Sequence, residues 1–404
     1  MKIKYIIVVI LLLSVAFFVA VVTDALGQDA FFEEADNANS AATEPDADDP
    51  EPVDIFADRI EEQLAEMTLD EKIAQLLIIQ PSSDVLAYPY GGVILMEPNY
   101  STLAGTQSLV KSLQSQSKLP LIISTDQEGG NVQRLQKITD RRATNVPEMF
   151  QLGLAGDPGL TYDIGRVLAE ELRVVGVSVT YAPVLDVYSN PQNRVIGRRS
   201  FSPDPQVVAD MGAKLGQGLL DNGVVPTYKH FPGHGDTAID SHVSLPIIPK
   251  GYYELDATEF VPFKAAIAGG AQIIMVGHIA LPKITGDNTP ATLSHQITTG
   301  ILRNKLGYEG LIVTDGLDMG ALANNYPEKD IYWRAVEAGA DLLLLPKNPE
   351  LAIETIREKV SEERIDESVR RILRFKYQYL ENYEPLDDSY FGSAEHAEVV
   401  KRVP

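Results

Sequence analysis

The chain has 404 residues, 57 of them Asp or Glu against 34 Lys or Arg, a formal net charge of −23 and no cysteine. So acidic a balance leaves little to neutralise phosphates and argues against a nucleic-acid partner. The lack of cysteine excludes disulfides and thiolate metal sites.

Two lysines stand within residues 1–4, and residues 5–22 are an unbroken apolar or small run. At 1.5 Å per residue such a run nearly spans a bilayer core of roughly 30 Å. A basic start before an apolar run is an export signal. Residues 1–27 are therefore expected to be a signal peptide or an N-terminal membrane anchor, with the remainder outside the cytoplasm. Residues 28–54 carry ten acidic and no basic side chains. They bury too little apolar surface to offset ordering entropy, so an acidic disordered linker is expected.

From residue 55 the texture alternates. Apolar runs at 73–80, 92–96, 120–126, 178–186, 224–230, 272–278, 311–315 and 341–346 read as strands, the first of them also open to a partly helical reading. Amphipathic segments such as 160–175, 206–222, 254–268 and 351–360 fall between most of them, and 366–382 would close the ring. Eight alternations predict an α/β fold, a (β/α)8 TIM barrel forming a single catalytic domain over 55–385, with 386–404 as a C-terminal tail. No Gly-x-Gly-x-x-Gly turn follows the first strand, which disfavours a dinucleotide site. Asp126, Asp186, Lys229, His230, His278 and Asp315 all fall at C-terminal strand ends. Barrels of this kind carry their chemistry on that rim.

Three of the six histidines lie in residues 229–242, Lys-His-Phe-Pro-Gly-His-Gly-Asp-Thr-Ala-Ile-Asp-Ser-His. His230, His234, His242 and His278 could in principle supply imidazoles to zinc. Against that, Pro232, Gly233 and Gly235 exclude a helical His-x-x-x-His face. Asp240 and His242, two apart, share a side if the loop is extended. A carboxylate there would raise the imidazole pKa and suit it to donate a proton near neutral pH. An acid/base dyad is the preferred reading, and no metal is expected.

That segment resembles the signature of family 3 glycoside hydrolases of the β-N-acetylglucosaminidase type. Residues 66–75, Thr125 to Arg134, Ala182 to Val187, Arg199 to Phe201 and Val313 to Met319 resemble further stretches of the same family, in order. The resemblance implies a retaining glycosidase acting on terminal β-linked N-acetylglucosamine, as in cell-wall fragments. Asp315 would be the nucleophile, His242 the acid/base and Asp240 its support. Asp126, Arg134, Arg199, Lys229 and His230 would bind the sugar, with Arg134 and Asp186 the weaker candidates. Many family members continue into a second α/β domain, which is not expected within residues 386–404. A monomer acting on carbohydrate is expected, without cofactor, touching a membrane only through its N-terminal segment. The alternatives are a phosphorylase or β-glucosidase of the same family, or a membrane-tethered sugar-binding protein without catalysis.

Overall fold

Short runs of Val, Ile and Leu become strands because parallel strands are apolar on both faces. The computed structural model describes residues 54–83, 86–237, 240–241 and 243–404. The expected export segment 1–27, nearly all of the expected linker 28–54, and His242 lie outside the described residues. The strands are β1 Leu77–Ile79, β2 Gly92–Ile94, β3 Ile122–Thr125, β4 Val179–Thr180, β5 Val225–Phe231, β6 Ile273–Val276, β7 Leu311–Thr314 and β8 Leu343–Leu344. Each pairs in parallel with its neighbour in chain order from β1 to β7, and β8 pairs with β1 through Leu77 and Leu343. A parallel bridge between Val313 and Leu342 closes the ring. The fold is a (β/α)8 barrel.

The outer layer comprises α1 Ala57–Glu66, α2 Leu69–Gln75, α3 Leu103–Ser115, α4 Pro158–Val174, α5 Pro205–Asp221, α6 Phe260–Ala268, α7 Glu328–Ala338, α8 Pro349–Lys359 and α9 Glu362–Phe375. A π-helix, Gln296–Lys305, occupies the place between β6 and β7. Three helices start alike. Asp157, Asp204 and Asn348 cap α4, α5 and α8 through their side-chain oxygens, each followed by proline at the first helical position. The side chain satisfies an orphan N–H while proline presets φ.

The strand expected over 73–80 is halved. Residues up to Gln75 end α2, because Thr68 and Glu71 form a reciprocal cap: the Glu71 carboxylate accepts from the Thr68 N–H at 2.8 Å, and Thr68 Oγ1 from the Glu71 N–H at 3.3 Å. The apolar run continues into β1 only from Leu77. The expected strand 178–186 likewise shrinks to Val179–Thr180; beyond it the chain stays beside β5 through main-chain hydrogen bonds from Thr227 to Ala182 and Lys229 to Pro183 and a bridge from Val184 to Lys229.

Residues 386–404 dock on the barrel. Their helix α10, Ala394–Val400, packs on α4, and the Phe391 ring before it is fully buried. His396 Nε2 lies 2.6 Å from Glu170 Oε2 and Nδ1 lies 3.2 Å from Glu171 Oε1. Donation by both nitrogens requires the imidazolium. Burial works against that charge, but the hydrogen bonds and charges of Glu171 and Glu170 outweigh it and raise the pKa. A raised folded-state pKa gives stability that is complete below the ordinary histidine value and is lost as pH rises through the raised one. His396→Gln is therefore expected to lower Tm most near about pH 5.5, with the deficit shrinking towards about pH 9. Thermal unfolding across that range checks it; a deficit independent of pH would mean His396 docks α10 as a neutral group.

Candidate active site

Because all eight strands run parallel, their C-terminal ends share one rim. Asp126 follows β3 directly, Lys229 and His230 lie near the end of β5, His278 stands two residues past β6, and Asp315 follows β7. The chain after β3 turns through a hairpin, Gln127–Gly129 against Val132–Gln133. Gly129 has φ 113° and Gly130 φ 54°, values that favour glycine.

The hairpin carries Glu128, absent from the expected site residues. Its carboxylate accepts from Arg199 Nε and Nη2, both at 2.8 Å, and lies 2.7 Å from Lys229 Nζ. Lys229 Nζ also reaches Asp126 Oδ1 at 3.1 Å, and Asp126 Oδ2 faces Arg134 Nη2 at 3.6 Å. Burial pushes the Glu128 pKa up, but the Arg199 and Lys229 cations outweigh this and hold it far below the usual carboxylate range. Burial likewise pulls the Lys229 ammonium down, while Glu128 and Asp126 more than restore it.

Asp186 joins the rim to the loop beyond β5. One oxygen contacts His230 Nδ1 at 2.7 Å, and the other accepts from the N–H groups of His230 at 3.2 Å and His234 at 2.6 Å. The Lys229–His230 and Phe231–Pro232 peptides are cis. Gly235 is required by space, since a Cβ there would sit 1.7 Å from the Val187 carbonyl oxygen. His234, held below the usual histidine pKa by burial, spans the loop, with Nδ1 2.7 Å from Thr237 Oγ1 and Nε2 3.1 Å from Ser241 Oγ.

Asp315 is deeply set but not sealed from solvent. Its Oδ1 accepts from the Gly316 N–H at 2.8 Å, and its own N–H donates to the Val276 carbonyl at 2.9 Å. Burial disfavours its charge, but His230, His278, the Gly316 N–H and Lys229 together lower its pKa. His278 is buried within reach of the Asp315 charge, its ring engaged by Thr292 Oγ1 at 2.7 Å and the Gly316 carbonyl at 2.8 Å. Among the described residues, no group of three or more His, Asp or Glu is arranged to hold a metal ion.

A cleft of about 550 Å³ leads off the rim between the hairpin and residues 193–199, and Asp240 is on its wall. A larger cavity, about 710 Å³, lies away from the rim against α3 and residues 383–386, without the strand-end acids.

The model of the glycosyl hydrolase family 3 N terminal domain matches residues 68–375, which include the barrel and every described rim residue above. The chain belongs to glycosyl hydrolase family 3. This family 3 chain is 34% identical over 323 residues to a beta-hexosaminidase A of Pseudoalteromonas piscicida, covering 72% of this chain and 53% of that one. It is 37% identical over 270 residues to a beta-hexosaminidase of Nitrosospira multiformis, covering 65% of this chain and 75% of the other. It thus spans about half the length of the first and three quarters of the second. A solved family 3 beta-N-acetylglucosaminidase from Paenibacillus sp. str. FPU-7 superposes with a TM-score of 0.76 at 36% identity, over 83% of this chain and 68% of that one. A solved beta-glucoside phosphorylase superposes with a TM-score of 0.79 at 26% identity, over 86% of this chain and 65% of that one.

Within this family 3 barrel, Asp126, Arg134, Arg199, Lys229, His230 and Asp315 stand around one rim, and Asp240 borders the adjoining cleft. Glu128 had one signal in the sequence: an acid two past a strand-end aspartate and directly before Gly-Gly.

Proposed function

We propose that this chain is a β-N-acetylhexosaminidase that removes terminal β-linked N-acetylglucosamine with retention of configuration. The observation that supports it best is the Asp315 carboxylate, held ionised at a strand end beside His230 and within the field of Lys229. A glycosidase nucleophile must be anionic and rigidly aimed. Asp315 attacks the anomeric carbon while His242 protonates the departing oxygen. A covalent glycosyl-enzyme forms, and water, activated by the same histidine, then displaces the sugar from Asp315. Asp240 orients that imidazole. Asp126, Arg134, Arg199, Lys229 and His230 hold the sugar hydroxyls and the acetamido side. The similarity to beta-hexosaminidases and to a beta-N-acetylglucosaminidase supports the substrate class, and the basic, apolar start of the chain supports a site outside the cytoplasm, where cell-wall fragments would be met.

The similarity to a beta-glucoside phosphorylase gives one competing reading, in which phosphate displaces the sugar. The test is release of aryl alcohol from an aryl β-N-acetylglucosaminide and an aryl β-glucoside, each with and without phosphate. The acetamido sugar should be preferred and phosphate should leave the product as free sugar. Preference for the glucoside, or a sugar 1-phosphate product, would overturn the reading.

A further inference from the structure

Glu128 contacts two of the groups assigned above to the sugar, yet only 2% of its own side chain is exposed. Oε1 takes both Lys229 Nζ at 2.7 Å and Arg199 Nη2 at 2.8 Å, while Oε2 takes Arg199 Nε at 2.8 Å. Lys229 is also almost fully buried, and it hands the chain of alternating charge on to Asp126 and Arg134. A two-pronged carboxylate fixes the plane of a guanidinium, which no single contact can do. A lysine ammonium, by contrast, has no orientation of its own and takes the position its anions impose. Arg199 comes from the loop after β4 and Lys229 from β5, so nothing in either element alone sets the distance between their charges.

We infer that Glu128 is a positioning residue of the sugar site, fixing the Arg199 guanidinium and the Lys229 ammonium at the spacing that the hydroxyls of one pyranoside ring require. It rests on the proposed roles of Arg199 and Lys229. Glu128 does not reach the substrate; it acts through the two cations. Its charge matters as well as its shape. Around the Lys229 ammonium stand Glu128 and Asp126 from the end of β3, Arg199 from the loop after β4, and Asp315 from the end of β7. Removing one of the anions leaves two cations facing each other in a buried place, so Lys229 should lose its proton at lower pH.

The test measures kcat, KM and Tm for wild type, Glu128→Gln and Glu128→Asp across pH, with aryl β-N-acetylglucosaminides of differing leaving group. Glu128→Gln keeps the shape without the charge. It is expected to lower kcat/KM by about 10²-fold, the scale of a misplaced binding group, mostly through KM. The loss should be the same for good and poor leaving groups, and the alkaline limb of kcat/KM should move to lower pH. Glu128→Asp, which keeps the charge on a shorter arm, should hold the alkaline limb in place and recover part of KM. If Glu128→Gln fails to fold, the inference is decided on Glu128→Asp: raised KM with an unmoved limb supports it, and wild-type KM overturns it. Wild-type constants in Glu128→Gln, or a loss that grows as the leaving group worsens, would also overturn it. Wild-type enzyme that cleaves only the β-glucoside overturns the substrate reading instead, and Glu128 is then scored on the glucoside by the same ratios.

Discussion

Asp315→Ala is expected to lower kcat on an aryl β-N-acetylglucosaminide by on the order of 10⁴-fold or more, the loss typical when one member of a nucleophile and acid/base unit is deleted. The fold should survive the change. The carboxylate's hydrogen bond goes to the adjacent Gly316 N–H, while the Asp315 N–H to Val276 carbonyl bond that ties the strand end is main chain and remains. Because the folded-state pKa is lowered, the carboxylate carries its charge above the usual carboxylate range and somewhat below it. Protonation of Asp315 therefore does not limit the rate near neutral pH. A small anion such as azide, entering the space left by the carboxylate, should restore part of the turnover and give a glycosyl azide of inverted configuration. Retention of more than about 1% of wild-type kcat would move the nucleophile elsewhere, with Asp318, three residues on and exposed, next to be tested.

His242→Ala is expected to have the second largest effect, and its size should depend on the substrate. General acid catalysis contributes about 10²–10⁴-fold, but only where the departing oxygen needs a proton. Natural glycosides should lose on that scale. A dinitrophenyl glycoside leaves as a stabilised anion, so its first step should be nearly unaffected. A plot of kcat/KM against leaving-group pKa would steepen in the variant. Parallel plots for variant and wild type would remove His242 as the acid.

The strand-end positions Asp126, Lys229, His230 and Asp315 were accessible because their cues are local, whereas Arg134 and Arg199 entered only through the family resemblance. An acid or a histidine after an apolar run marks a strand end, and Gly233, Gly235 and Pro232 mark a loop that is not a helix. The limits of that reading are equally specific. Over residues 73–80 the apolar residues suit a strand or a buried helix face, and the Thr68–Glu71 cap carries the helix to Gln75. Glu128 was not among the expected site residues because its partners lie far along the chain, Arg199 being 71 residues away. Residues 386–404 looked like a tail because Glu170 and Glu171 lie more than 220 positions before His396.

By itself, then, the amino-acid order determined the period of the barrel, the strand-end acids and histidines, and the break in any helical pattern at Pro232, Gly233 and Gly235. These depend on burial pattern and on hydrogen bonds between near neighbours. Tertiary structure alone decided that Glu128 grips Arg199 and Lys229, that Asp186 ties His230 to His234, and that His396 docks α10. Those contacts are ion pairs and hydrogen bonds between side chains on separate elements. Their strength depends on a shared burial that arises only once the ring of strands has closed.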